Sequence, residues 1–315
     1  MIRKAAAPRS KHSKAITDGS LRTWPLPALD ETLGKESRGT VLVVGGSREV
    51  PGAVMLAAIG ALRAGAGRMQ IATVQSVASA IAIAIPEARL IALRETRPGE
   101  IAKGAARKLR DDLESCNALL LGPGITDAGA VNELLDEFLR RNDHATAVLD
   151  AGALEALSRA RAKRKSRKRS TKVRIIATPH AGEMAKLCGV DRDEVLGRPD
   201  EIVREMAREL GVVIALKGAC TYVAASDGRL FHNTAGNLGL GTSGSGDTLS
   251  GVIAGLCARG ADPLQATAWG VHLHAKAGEA LARKLGPLGF LARELLGEIP
   301  PLLAKLTRQG RDNAK

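Results

Sequence analysis

The sequence predicts an α/β protein of three layers, α/β/α, with a mostly parallel central sheet and a hairpin at one sheet edge. Three observations carry that prediction. Short, uninterrupted apolar strands alternate with helical segments; glycine turns close several of those strands; and near residue 212 the alternation gives way to closely spaced strands. Uninterrupted apolar strands belong inside a parallel sheet covered on both faces.

In chain order, residues 40–44 form a β-branched run closed by Gly45-Gly46-Ser47, and 52–64 read as a helix of small residues. Strands follow at 69–74, 90–93 and 118–121, separated by helices at 77–85 and 100–114. Gly122-Pro123-Gly124 closes the strand at 118–121, and 128–141 places Leu134, Leu135 and Phe138 on one apolar face. Strands at 146–150 and 174–178 precede helices at 181–187 and 199–210. Residues 212–216, 221–225 and 230–232, joined through Lys217-Gly218 and Ser226-Asp227-Gly228, supply the edge hairpin. The remainder is helical at 249–258, 263–285 and 291–306. No linker or internal repeat divides the chain. Residues 1–34 read as a basic, poorly patterned lead-in and 35–315 as a single domain carrying a basic insertion at about 159–174.

Composition narrows the function. The chain is 45% hydrophobic and 25% charged, close to globular averages, which excludes a disordered or fibrous protein. Its net charge of +13 invites a nucleic-acid reading, but ten basic residues between Arg159 and Arg174 supply +10 of it. That segment contains no aromatic residue on which bases could stack. The expectation is a solvated insertion and no nucleic-acid partner; a non-catalytic polyanion-binding protein is the alternative from another class. Cys116, Cys188, Cys220 and Cys257 lie far apart with no Cys-x-x-Cys, so four reduced, mostly buried thiols are expected. The only apolar run of the basic N-terminus is Ala5-Ala6-Ala7, too short for a signal-peptide core. Later apolar stretches are cut by Arg63, Pro86, Glu87 and Arg89 before the roughly 18–20 residues a membrane span needs. A cytoplasmic protein with no membrane partner is expected.

The most informative segment runs from Asn237 to Asp247, with glycine at 239, 241, 244 and 246, immediately before an apolar helix. Glycine-rich backbone leaves N–H groups free to converge on an anion, and the helix dipole adds positive potential. Asp247 is odd there, since its carboxylate repels the phosphate that the loop attracts. An acidic residue in a first helical turn is common; the alternative is a base that takes a proton from a substrate hydroxyl as that oxygen attacks phosphorus. Residues 239–244 also satisfy G-x-G-x-x-G, but helices rather than a second parallel strand follow, which excludes the dinucleotide fingerprint. No Walker motif occurs. Asp150 ends a buried strand, where it either meets ligand or caps the next helix. His272 and His274, two apart on a helix, read as packing or surface residues.

From about Trp24 to Leu306 the chain resembles the ribokinase-like NAD(P)H-hydrate dehydratases through an ordered set of motifs. These are Val44-Gly45-Gly46-Ser47 with Gly52-Ala53, Pro86-Glu87, Gly122-Pro123-Gly124, Leu149-Asp150-Ala151, Thr178-Pro179-His180-Ala181-Gly182-Glu183, Leu216-Lys217-Gly218-Ala219, Gly236-Asn237 and Gly244-Ser245-Gly246-Asp247. The resemblance implies a ribokinase-like fold and repair of hydrated NADH and NADPH by an ADP-dependent dehydratase, with ATP as the other possible donor and Mg²⁺ neutralising its phosphates. It implies nucleotide contacts from Lys217, Gly218, Ala219, Cys220, Thr221, Asn237, Thr242, Gly244 and Gly246. Ala53, Gly124, His180 and Asp247 would face the hydrate, with Asp247 the catalytic base and Glu183 organising Mg²⁺ through water. Sugar and vitamin kinases of the same superfamily usually carry Asn where His180 stands, so a small-molecule kinase is the same-fold alternative. A homo-oligomer, a tetramer being one form, and a separate epimerase acting on the other epimer complete the implied setting, because residues 1–34 cannot hold the epimerase domain often fused to relatives. Leu238, Leu240, Gly241 and Ser243 stand where the family more often has Pro, Met, Ala and Gly, and Ser245 replaces Thr. The extra glycine is expected to loosen the loop.

Overall fold

A computed structural model describes residues 13–30, 32–126, 129–157 and 174–312, with side chains to residue 307. Among the described residues, ten strands form one sheet in the order β1-β10-β9-β8-β7-β6-β5-β2-β3-β4. They are β1 (Lys14–Ala15), β2 (Thr40–Val44), β3 (Arg68–Val74), β4 (Ala88–Leu93), β5 (Ala118–Leu121), β6 (Thr146–Leu149), β7 (Arg174–Ala177), β8 (Val213–Leu216), β9 (Thr221–Ala224) and β10 (Leu230–Asn233). Only β9 opposes the common direction.

Side chains alternate across the sheet into two cores. Leu42, Val44, Leu119, Leu121 and Leu149 join Phe138 and Met184 on one face; Val41, Val43, Leu120 and Val148 join Trp269 and Leu256 on the other. Burial on both sides is why these strands read as continuous apolar runs. The second layer is tightened by glycine. A Cβ on Gly251 would stand 2.1 Å from the Ala57 carbonyl oxygen and one on Gly255 2.4 Å from that of Ala61, so the helices Pro51–Arg63 and Ser245–Ala258 touch backbone to backbone.

Three expectations are corrected. The helix expected at 100–114 is two pieces, Ala105–Lys108 and Arg110–Ser115, because Glu100 closes a turn on Thr96, Ile101 bridges Glu95 and Gly104 sits at φ +88°. The β9–β10 hairpin is present but is not the sheet edge, since β1 pairs parallel to β10. Residues 14–26 of the expected lead-in belong to the fold: Thr17 caps the short helix Asp18–Arg22, Leu21 is buried, and Trp24 stacks on Phe231 at 5.7 Å. His272 and His274 are both buried, in keeping with the packing reading. The cysteines are free, and burial pushes the Cys116 and Cys257 thiols up to about 12. The basic run at 159–173 and residues 1–12 lie outside the described residues.

Candidate active site

Five spatially consecutive strands, β8-β7-β6-β5-β2, end on one rim, and each leads into a segment that the sequence singled out. Lys217 follows β8, residues 178–183 follow β7, Asp150 follows β6, residues 122–124 follow β5, and residues 45–47 follow β2. Ligands of parallel α/β sheets bind at such carboxyl ends.

One part of the rim is built from backbone. Gly46 N donates to the Pro123 carbonyl at 2.7 Å, interlocking two glycine turns. Gly124, at φ +69°, lies so close to the next layer that a Cβ there would be 3.1 Å from Ala53 Cβ. The helix bearing Asp247 starts at Ser245, earlier than the sequence suggested, so Asp247 occupies its first turn, where N–H groups lack intrahelical acceptors. Before it, Asn237 Oδ1 accepts from Gly239 N at 2.9 Å and Leu238–Leu240 form a 3₁₀ turn. Asn237 Nδ2 is buried with no hydrogen-bond partner among the described residues. Around the extra glycine, Gly241 N donates to the Leu238 carbonyl at 3.0 Å, and Leu240 is wedged between Gly236 and Gly278. Thr242, half-buried, contributes its carbonyl to Ser245 N at 3.2 Å.

The other part is built from charge. Lys217 Nζ lies 3.1 Å from Asp150 Oδ1 and 4.0 Å from Glu183 Oε2. A Cβ on Gly246 would sit 3.3 Å from that ammonium and 4.0 Å from Asp150 Oδ2, so the charged cluster meets the glycine loop at Gly246. Asp150 is buried, and its Oδ1 also accepts from Thr178 Oγ1 at 2.8 Å. It makes no capping hydrogen bond to the following turn, so the capping alternative is not realised. The next residue, Ala151, is the one non-glycine at positive φ among the described residues, 46°, a strain typical of functional turns. His180 and Glu183 form a reciprocal capping box. His180 Nδ1 accepts from Gly182 N and Glu183 N, and Glu183 Oε2 accepts from His180 N at 2.7 Å. The outer edge of the imidazole remains exposed, with Nε2 3.6 Å from Glu183 Oε1. Gly218 and Ala219 are exposed in the turn between β8 and β9, with Cys220 and Thr221 half-buried.

Burial, reinforced by Asp150, pushes Asp247 up to about 6, against the opposing pull of Lys217. Burial draws Lys217 down, but Asp150, Glu183 and Asp247 together outweigh it, and the net shift is upward. The ammonium therefore stays charged while Asp247 titrates near neutrality, a property suited to a general base. A cavity of about 400 Å³ opens beside the cluster, bordered by Ile125, Ala151, Gly152 and Glu183 among others. Among the described residues no group of three His, Cys, Asp or Glu side chains converges as a metal site. The meeting of Lys217 with Asp150 was not visible in the sequence, where the two are 67 positions apart.

The family model for NAD(P)H-hydrate dehydratase matches residues 41–301. The ADP-dependent (S)-NAD(P)H-hydrate dehydratase of Xanthomonas campestris is 46% identical over 299 residues, covering 94% of this chain and 98% of that one. The ADP/ATP-dependent NAD(P)H-hydrate dehydratase of Bacillus subtilis, solved after co-crystallisation with ATP and Mg²⁺, superposes with a TM-score of 0.76 at 29% identity, over 94% of this chain and 100% of that one. A ribokinase-like superfamily protein from Enterococcus faecalis superposes with a TM-score of 0.79 at 23% identity, over 96% and 99%, a likeness of fold. A three-layer sheet of this order, a glycine loop opening a helix and motifs matched along most of the chain agree: the chain belongs to the NAD(P)H-hydrate dehydratase family.

Proposed function

We propose that this chain is an ADP-dependent dehydratase that repairs the S-hydrate of NADH and NADPH, yielding NAD(P)H, AMP and phosphate. The carrying observation is Asp247, a carboxyl raised to about 6 in the first turn of the helix that the glycine loop opens. Asp247 takes the proton of the 6-hydroxyl as that oxygen attacks the terminal phosphorus of ADP, and the bond to AMP breaks. The ring nitrogen's lone pair then expels phosphate from C6, and loss of a proton from C5 restores the dihydronicotinamide double bond. Residues 217–221 and the loop with Asn237, Thr242, Gly244 and Gly246 hold the nucleotide in this reading. The buried, unpartnered Asn237 Nδ2 is a donor awaiting an acceptor of this kind. Ala53, Gly124 and His180 border the hydrate beside Asp247.

Mg²⁺ suits this donor set, because it binds through one or two carboxylates, waters and substrate phosphates rather than a closed protein cage. Glu183, with Oε1 turned away from its capping bond, would hold it through water. When bound, the ion neutralises the charge of the donor phosphates. The protein works in the cytoplasm, with a separate epimerase converting the R-hydrate, and as a homo-oligomer. Exposed Leu238, Leu285, Leu288 and Leu291 support the last point; a monomeric mass by light scattering overturns it. For the reaction, purified (S)-NADH hydrate with ADP and Mg²⁺ should regain NADH absorbance and release free phosphate. A stable phosphorylated product would identify a kinase instead, and no turnover by folded protein would reject both.

A further inference from the structure

The glycine loop is seated on the helix Pro263–Lys284, and the seating has an order. At one end of the loop, Ser245 Oγ meets His274 Nε2 at 3.0 Å, both residues buried. In the middle, Leu240 packs where a Cβ on Gly278 would stand only 2.6 Å away. At the other end, Gly236 N donates to Glu279 Oε1 at 3.0 Å, and a Cβ on Gly236 would lie 3.5 Å from Ala275 Cβ. Around a helix, positions 274, 278, 275 and 279 follow one another across a single side, so one surface tracks the loop from Ser245 back to Gly236.

We propose that His274 and Glu279 are positioning residues that clamp the two ends of the loop at 236–246 and so fix its N–H groups for the phosphate donor. The inference rests on the reading that this loop holds the nucleotide. A cradle of backbone dipoles binds best when it is already ordered. Glycine is the residue that loses most freedom on ordering, so a loop with glycine at 236, 239, 241, 244 and 246 needs anchors from outside itself. Both anchors suit the task. Burial holds His274 down to about 4, so the link to Ser245 is a neutral one over the working pH range. The other Glu279 oxygen is tied by Lys276 Nζ at 2.6 Å, which fixes the carboxylate facing Gly236.

Titration calorimetry with ADP and Mg²⁺, well below the melting temperature, tests the clamp. His274→Leu and Glu279→Ala should each weaken ADP binding about tenfold. His274→Gln, with a polar atom where Nε2 lies, and Glu279→Gln, which keeps the acceptor, should stay within about threefold. KM for the hydrate should not move in any of the four. A merely structural role would lower Tm without changing the ADP affinity of the folded protein. Wild type that binds ADP, with all four variants equal to it or with both Gln variants as weak as the deletions, overturns the clamp alone. Wild type that ignores ADP overturns the nucleotide reading, and the clamp with it. Should His274→Leu fail to fold, Glu279→Ala, at a half-buried position, decides by the same criterion.

Discussion

The two parts of the rim are made of different materials. The loop at 236–246 presents backbone and glycine, and its own side chains serve mainly to hold it in place, Asn237 capping the 3₁₀ turn and Leu240 wedged against Gly278. The cluster of Asp150, Glu183 and Lys217 presents charge carried on two strand ends and an adjoining helix. In the proposed reading the first attracts an anion whatever the protonation state of its surroundings, while the second adds opposing charges to the burial that governs the nearby carboxyl. Asp247 stands where they meet, and its proton affinity is raised chiefly by burial, with Asp150 adding to the rise and Lys217 opposing it. Binding and proton transfer should therefore be separable by mutation, and the following tests attempt to separate them.

The largest effect is expected of Asp247→Asn. Turnover should fall by about 10² to 10⁴, the usual worth of a general base, while calorimetry finds ADP affinity within about threefold. Equal loss of both would leave Asp247 with a capping role. Stability should move the other way. The Asp247 carboxyl is raised from 3.8 to about 6 in the folded protein. The folded state thus holds a proton that the unfolded chain releases between those values, and stability declines as pH rises through that window. The cost stands in full above it, about 3 kcal/mol. Asp247→Asn should accordingly raise Tm at pH 8 and leave it little changed at pH 4.

Lys217→Met strikes the charged part. It strands a buried Asp150 and should destabilise by about 3–5 kcal/mol, measured by urea unfolding. In the intact enzyme, kcat should drop on the acid side of about 6, because protonated Asp247 cannot accept a proton. Lys217 pulls that value down, so its removal should move the acid limb upward; a limb that stays put would detach Lys217 from Asp247. The smallest effect tests the junction. Gly246→Ala puts a methyl 3.3 Å from the flexible end of Lys217. Helix propensity favours alanine by about 1 kcal/mol; we expect stability unchanged within that figure and ADP affinity lowered roughly threefold to tenfold. Unchanged affinity would show that the two parts do not share a ligand.

Much of the architecture could be read residue by residue. The strand at 118–121 and the helix at 199–210 have the expected bounds, because a short apolar run between turn residues and an amphipathic run from Pro199 to a glycine leave little choice. The failures have two causes. Residues 14–26 join the fold through partners more than 200 positions away, which no local period announces: the Trp269 ring N–H donates to the Trp24 carbonyl at 3.0 Å, and Asp18 meets His272 at 2.8 Å. The helix at 100–114 is broken by a local turn, Thr96 N donating to the Glu100 carbonyl and Gly104 taking a positive φ, which the apolar pattern does not reveal. The first cause holds for the clamp, since His274 sits in an apolar helix and nothing around it points to Ser245.

The amino-acid order alone dictated the strand and helix alternation, the anion-attracting glycine loop and the acid placed just behind it, because periodicity and glycine's backbone freedom act over a few residues. Folding decided what that acid can do. Burial, which raises its proton affinity most, and Coulomb interactions both depend on position in space, and only the adjacency of β6, β7 and β8 brings Asp150 and Lys217 close enough to Asp247 to add their opposing contributions.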